Sequence, residues 1–311
     1  MMRRLTAGSD IIDIAVGSWW QIPFRGSRRL LTILACALGV VVSSAAQAQV
    51  PFGTLLAQKV ATGTSHSCAL TIDGAVYCWG TNANGQLGDS TQTQRTIPVA
   101  VTGLGTGAGA TALVSGINHS CVVTSAGAVQ CWGLNSNGQL GDNTTTQRLA
   151  PVTVTGLGAG SGVIALAAGI THTCALTAAG AVQCWGANNL GQLGDNTTTQ
   201  RLTPAPVSGL SSGVTAIVAR SNHTCAITSG GAVQCWGSNS AGQLGDNTTT
   251  TRLTPVAVTG LNAGVKAIAV ATAHSCAVTS AGGVQCWGNN TAGELGDTTT
   301  TPRLTPVQVR A

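Results

Sequence analysis

The sequence predicts an all-β protein, a β-propeller of five four-stranded antiparallel blades, and three observations predict it. A segment of the form found at residues 172–195, HTCALTAAGAVQCWGANNLGQLGD, recurs at 66–89, 119–142, 223–246 and 274–297 with unchanged internal spacing. The steps from one first cysteine to the next are 53, 53, 51 and 51 residues, a period near 50 that marks repeat architectures. Within each step, four short β-rich runs are separated by Gly, Asn and Pro, and no helical period of adequate length appears. A sheet that small cannot bury both of its faces, so the copies must stack radially as blades.

The N-terminal part is read separately. Residues 1–27 are an undistinguished mixture, and the length of this stretch points to a downstream start or an extension. Arg28 and Arg29 precede an apolar run at 30–42 that passes into small residues ending Ala46-Gln47-Ala48. A basic start, a short apolar core and an A-x-A site make a secretory signal peptide, with cleavage expected after Ala48. Two other readings stay open. The run 30–46 as an uncleaved anchor is at the short limit for a span, and Cys36 as a lipidated cysteine has few apolar residues before it. The expected division is therefore 1–48 as extension and signal peptide, and 49–311 as the propeller, with repeat units at about 55–107, 108–160, 161–211, 212–262 and 263–311.

The expected mature segment carries nine Lys and Arg against seven Asp and Glu, a net charge of only +2. Five of those cations fall one per repeat, so no basic stripe exists to neutralise a phosphate backbone, and nucleic-acid binding is disfavoured.

Each unit reads in order as an apolar run (163–168 in the third), a hairpin arm at 172–177, a tight turn with Gly180, a second arm at 181–186, a polar Asn/Gly/Thr loop, and a closing strand opened by a proline. Those prolines are Pro98, Pro151, Pro204, Pro255 and Pro306, at a position where a missing N–H is tolerated.

Ten cysteines form five pairs ten residues apart: Cys68 with Cys78, Cys121 with Cys131, Cys174 with Cys184, Cys225 with Cys235, and Cys276 with Cys286. In the first repeat the turn Thr71-Ile72-Asp73-Gly74 is a type I turn whose glycine serves as the bulge residue, which sets Thr71 opposite Ala75. The same register sets Cys68 opposite Cys78 on one sheet face, close enough to bridge. Five cross-strand disulfides are expected, as suits an exported chain. The rival is a metal site, since a histidine stands two residues before each first cysteine.

Those histidines (His66, His119, His172, His223, His274) are the only ones in the chain. A catalytic base is needed once per site, and one residue repeated five times reads as structural. The tryptophan after each second cysteine (Trp79, Trp132, Trp185, Trp236, Trp287) lies on the face opposite the disulfide and is expected to pack between blades. The alternative is a ring of exposed indoles gripping sugars. Five Asp/Arg pairs, six residues apart, bracket Thr-rich loops: Asp89/Arg95, Asp142/Arg148, Asp195/Arg201, Asp246/Arg252 and Asp297/Arg303. They read either as local clamps or as a ring of binding loops on one propeller face. The Gly-rich stretch 103–109 lacks the following helix and the Gly-Lys-Ser/Thr ending of a phosphate loop. No nucleophile or carboxylate constellation is singled out, so an enzyme, a cofactor and a metal are not expected.

The pattern H-[ST]-C-[AV]-[LIV]-T-x-x-G-x-V-x-C-W-G-x-N-x-x-G-[QE]-L-G-D, followed by R-x-x-P-[VA]-x-V, resembles the regulator of chromosome condensation repeat over about residues 55–311. The resemblance implies a β-propeller, usually of seven blades, whereas five units are present here. Either five blades close a ring, with the strand at 55–61 pairing with 306–310, or the chain forms an open arc whose ends associate with another copy. The sequence leans toward closure. For function, one scaffold hosts many activities. An exported, non-catalytic scaffold binding a protein partner at the cell surface, in the periplasm or beyond ranks first. The resemblance also implies guanine-nucleotide exchange or β-lactamase inhibition, and the indole ring implies a surface lectin.

Overall fold

The computed structural model describes residues 54–310, together with a short antiparallel pair, β1 (Thr6–Ala7) and β2 (Asp10–Ile11). The chain divides into two compact units, Met1–Thr54 and Leu55–Ala311. The expected signal peptide, its cleavage site and Cys36 lie outside the described residues. Among the described residues, no helix is long and apolar enough to cross a membrane.

The second unit is five four-stranded antiparallel sheets, each made from one contiguous stretch of chain. Blade 1 contains β3 (Ala57–Thr62), β4 (His66–Thr71), β5 (Val76–Gly80) and β6 (Arg95–Ala100). Blade 2 contains β7 (Ala110–Ser115), β8 (His119–Thr124), β9 (Val129–Gly133) and β10 (Arg148–Thr153). Blade 3 contains β11 (Val163–Ala168), β12 (His172–Thr177), β13 (Val182–Gly186) and β14 (Arg201–Pro206). Blade 4 contains β15 (Val214–Arg220), β16 (His223–Thr228), β17 (Val233–Gly237) and β18 (Arg252–Ala257). Blade 5 contains β19 (Val265–Val270), β20 (His274–Thr279), β21 (Val284–Gly288) and β22 (Arg303–Gln308).

The central hairpin follows from its turn. Thr177 N–H donates to Ala181 O at 3.0 Å and Gly180 N–H to Thr177 O at 2.9 Å, with Gly180 at φ +80°. A type I turn ending in a left-handed residue matches the strand twist, and glycine takes that conformation without Cβ strain. The register it fixes sets Cys174 opposite Cys184 and Thr173 opposite Trp185. All five expected disulfides are present, each with a Cα–Cα separation of 4.1 Å. They join Cys68 to Cys78, Cys121 to Cys131, Cys174 to Cys184, Cys225 to Cys235, and Cys276 to Cys286.

The outer strand departs from expectation. It starts at the arginine, three residues before the proline, and its ladder shifts register there: Gly186 pairs with Arg201 and Cys184 with Ala205. In blade 4 the same shift falls beside the second cysteine, with Gly237 opposite Arg252 and Cys235 opposite Val256. Pro204 and Pro255 therefore sit at the irregularity in an edge strand and do not open it, and their missing N–H groups interrupt no regular ladder.

The core is four apolar clusters, one at each junction between consecutive blades. At the junction of blades 2 and 3, the disulfide face of blade 2 (Cys121, Val123, Val129, Cys131, Leu140) packs on Ala175 and Trp185 of blade 3. Between blades 4 and 5, Cys225 and Cys235 are enclosed in the cluster that holds Ala277 and Trp287. The cystine face is thus as much a part of the junction as the tryptophan face, a role the cysteine spacing did not announce.

The pairing expected for ring closure is overturned. Within the described residues β3 pairs with β4 and β22 with β21, and no ladder joins β3 to β22. The physical reason is that each unit already supplies four complete strands, which leaves none to share between the first blade and the last.

Candidate interaction surface

Three polar links recur at every junction. The first runs through the histidine. His119 Nε2 lies 3.0 Å from Thr173 Oγ1 of the next blade, and that hydroxyl donates to Gln139 O at 2.9 Å. The hydroxyl has one proton, so Nε2–H is the donor and Nδ1 carries a bare lone pair. The equivalent pairs are His66–Ser120, His172–Thr224 and His223–Ser275, at 2.9, 2.9 and 3.2 Å. Burial pushes His66 and His223 down to about 4 and His119 and His172 to about 3. An imidazole held that low is a poor base near neutrality, so these four serve architecture.

The second link is the tryptophan. Trp132, Trp185, Trp236 and Trp287 are fully buried, and their indole N–H groups donate backward to Gln86, Gln139, Gln192 and Gln243 O at 2.9–3.0 Å. Gly141 makes room for this: at φ +70° it lies so close to the next blade that a Cβ would meet Trp185 Nε1 at 2.8 Å. Four indoles inside junctions cannot form the sugar-gripping ring, and the lectin reading is corrected accordingly.

The third link uses the Thr-rich loops. Asp195 Oδ2 accepts Arg201 Nε–H at 2.7 Å, while Oδ1 accepts the Thr197 backbone N–H and hydroxyl at 3.1 and 2.7 Å. Asn188 ties the loop together, with Nδ2 donating to Asp195, Thr197 O and Thr199 O, and Oδ1 accepting Leu193 N–H at 3.0 Å. Partial burial alone would raise the Asp195 carboxyl, but donors from Thr197, Arg201 and Asn188 outweigh it and hold the group below the usual carboxylate range. The next residue, Asn196, is left-handed at φ +63° and donates its N–H to Leu253 O of the following blade at 3.0 Å. Every Asp/Arg pair closes this clamp, at 2.6–2.8 Å, with the aspartate side chains buried and the arginine side chains 35–39% exposed.

The hub asparagines (Asn82, Asn135, Asn188, Asn239, Asn290) were not singled out in the sequence, although the N-x-x-G signal recurs in all five repeats. A second missed residue is Arg220. It replaces the glycine of the first three repeats (Gly63, Gly116, Gly169) where strands approach the propeller axis. There it lines a cavity of about 170 Å³ with Thr64, Ile117, Ile170, Ser221 and Thr272, so that all five blades contribute. Among the described residues, no group of His, Cys, Asp and Glu could hold a metal ion. The cysteines that would have served are consumed in pairs: Cys225 and Cys235, like the cystines of blades 1 to 3, are fully buried and offer no ligand to solvent.

The RCC1-like domain family matches residues 36–311. The chain belongs to this family. The RCC1-like chain is 33% identical over 241 residues to the ultraviolet-B receptor UVR8 of Arabidopsis thaliana, covering 77% of this chain and 54% of the receptor. It is 34% identical over 259 residues to the E3 ubiquitin-protein ligase HERC2 of Homo sapiens, covering 81% of this chain and 5% of the ligase. It thus spans about half of one relative and a small part of the other. Among solved structures it resembles human WBSCR16 (TM-score 0.72, 24% identity, 82% of this chain and 67% of that one). It also resembles yeast RCC1 (Prp20), solved bound to Kap60 (TM-score 0.68, 22% identity, 81% and 63%). At those identities the likeness shows the fold.

Proposed function

We propose that this RCC1-like domain is an exported, non-catalytic module that binds a protein partner. One observation carries the reading: the recurring chemistry-bearing side chains are committed to architecture. The ten paired cysteines are bridged, four histidines and four tryptophans join blades, and five Asp/Arg pairs clamp their loops. Five cystines fit an oxidising compartment, which supports export through the leader expected at 28–48. Two surfaces remain available. One is the row of clamped loops, whose partly exposed arginine side chains (Arg95, Arg148, Arg201, Arg252, Arg303) are held on rigid supports. The other is the axial rim, where the repeats diverge and Arg220 is the distinguishing charge. A rigid, stapled scaffold loses little conformational entropy on binding. Nucleotide exchange stays a property of other family members, since cystines in every blade fit poorly with a reducing compartment.

The test is affinity capture from the native secretome on the immobilised, oxidised chain. A retained protein whose binding is lost in Arg148→Ala/Arg201→Ala/Arg252→Ala, or separately in Arg220→Glu, supports the reading and identifies the face. Capture unaffected by both variants, or no retained protein, overturns it.

A further inference from the structure

The ends of the blade series carry the two halves of a junction that the interior builds four times. On the outward face of blade 1, Val60 is 57% exposed, whereas its counterpart Leu113 is buried at the first junction. Trp79 and Ser67 on that face are only half-buried, whereas Trp132 and Ser120 are fully enclosed. On the outward face of blade 5, Val278 is 37% exposed and Val284 and Val309 are half-buried, whereas Val123, Val129 and Val154 are buried. Terminal repeats of stacked proteins ordinarily carry polar outer faces. Here both ends keep the apolar residues of an interior junction.

We infer that two copies of this chain associate head to tail, the disulfide face of blade 5 in one copy seating on the tryptophan face of blade 1 in the next. The interior junctions supply the template for what meets what. Trp79 N–H would donate to Glu294 O, as Trp287 does to Gln243 O at 2.9 Å. His274 would reach Ser67 Oγ, as His223 reaches Ser275 at 3.2 Å. Thr298 N–H would meet Thr96 O, as Asn247 N–H meets Leu304 O at 3.0 Å. Val60 would enter the apolar layer of Val278 and Val284, as Leu113 enters that of Leu70 and Val76. The two faces differ from one another, so the contact is heterologous and propagates into a closed ring or a helical stack. This inference stands apart from the binding of a foreign protein at the loops or the axial rim.

Sedimentation velocity on the full, oxidised chain over a concentration series tests it. The wild type is expected to form species larger than a monomer. Val60→Asp and Val278→Asp each place a charge on one face at an exposed site, so both variants should fold and both should be monomeric, their association weakened more than about tenfold. Mixed together, each supplies the intact face that the other lacks, and a one-to-one dimer should appear. Ile97→Asp, on the outer strand of blade 1 and 72% exposed, should associate like the wild type. A monomeric wild type at the highest concentration overturns the inference, as would occupation of the faces by the chain's own residues 1–53. Association surviving in either single variant shows face-to-like-face pairing and overturns it equally.

Discussion

The junction between blades 2 and 3 and the outer face of blade 5 are written with nearly the same residues and have opposite environments. At the junction, Val123 is 1% exposed and Trp185 is fully buried; at the end, Val278, the counterpart of Val123, is 37% exposed. Blade 5 keeps the cystine, the hairpin and the clamp of blade 2. The difference teaches that a repeat encodes half an interface on each face. The burial of large side chains, worth about 1.5–3 kcal/mol each, is realised only where two consecutive copies meet. The hairpin register and the Asp/Arg clamp are made within one blade, whereas the cystine also belongs to the junction: Cys174 is fully buried and Cys276, at the end, only half-buried.

Acid should break the junctions with the largest effect. The four buried imidazoles have folded values of about 3 to 4, below the ordinary histidine value of 6.5. As pH falls below 6.5 the unfolded chain takes up protons that the folded chain does not. The stability these groups leave intact above that value is therefore lost progressively toward the folded values. From pH 7 to pH 5 each should cost about 2 kcal/mol, and the four together up to about 8 kcal/mol. Urea midpoints followed by tryptophan fluorescence should fall steeply over this window. A flat profile would mean that the histidines are not enclosed as described.

Packing should separate interior from end more directly. Trp185→Ala removes a buried indole and its bond to Gln139 O, at an expected cost of about 4 kcal/mol. Trp79→Ala, at the half-buried end position, should cost about 1–2 kcal/mol in a monomer. Equal losses measured by denaturant unfolding would erase the contrast between junction and end.

Much of this was legible from the repeat alone. The glycine-ended turn fixed the hairpin register, and through it both the cystines and the placing of Trp185 on the opposite face. The inner strand at 163–168 appeared where the apolar run stood. The start of the outer strand was not legible, because Pro204 and Pro255 read as beginnings until the register shifts beside Cys184 and Cys235 are seen. Asn188 was overlooked because a polar loop residue gives no hydropathy signal, and its role emerges only when its amide is found between Asp195, Thr197 and Thr199. The pairing of the first strand with the last was misjudged, because each unit already fills its own four-stranded sheet and leaves neither β3 nor β22 to share.

The cystines separate the effect of the staple from that of the packing around it. Replacing Cys174 and Cys184 by alanine opens a loop of about eleven residues and should cost about 3 kcal/mol in the chain-entropy account. Replacing Cys276 and Cys286 opens an equal loop in the end blade and should cost less, because Cys276 is only half-buried while Cys174 and Cys184 are enclosed in the cluster that holds Trp236. Equal losses would show that the cystine acts only as a staple of its own hairpin and that its packing against the next blade adds nothing.

The smallest effect is expected at the clamp. Arg201 is 39% exposed on its side chain, and solvent screening limits an ion pair of that kind. Arg201→Gln should therefore cost only about 0.5 kcal/mol. Arg303→Gln should cost the same, because Arg303 reaches Asp297 at 2.6 Å within its own blade and needs no neighbour. Asp195 differs from its partner arginine: it accepts from Thr197, Asn188 and Arg201 together and is nearly enclosed, so Asp195→Asn should cost more than either arginine change, about 2 kcal/mol. If the two arginine variants differ by more than the error of the midpoints, the clamp senses the following blade. The latch from Asn196 N–H to Leu253 O, present at the junction and, among the described residues, without a counterpart at Thr298, is then the route by which it does so.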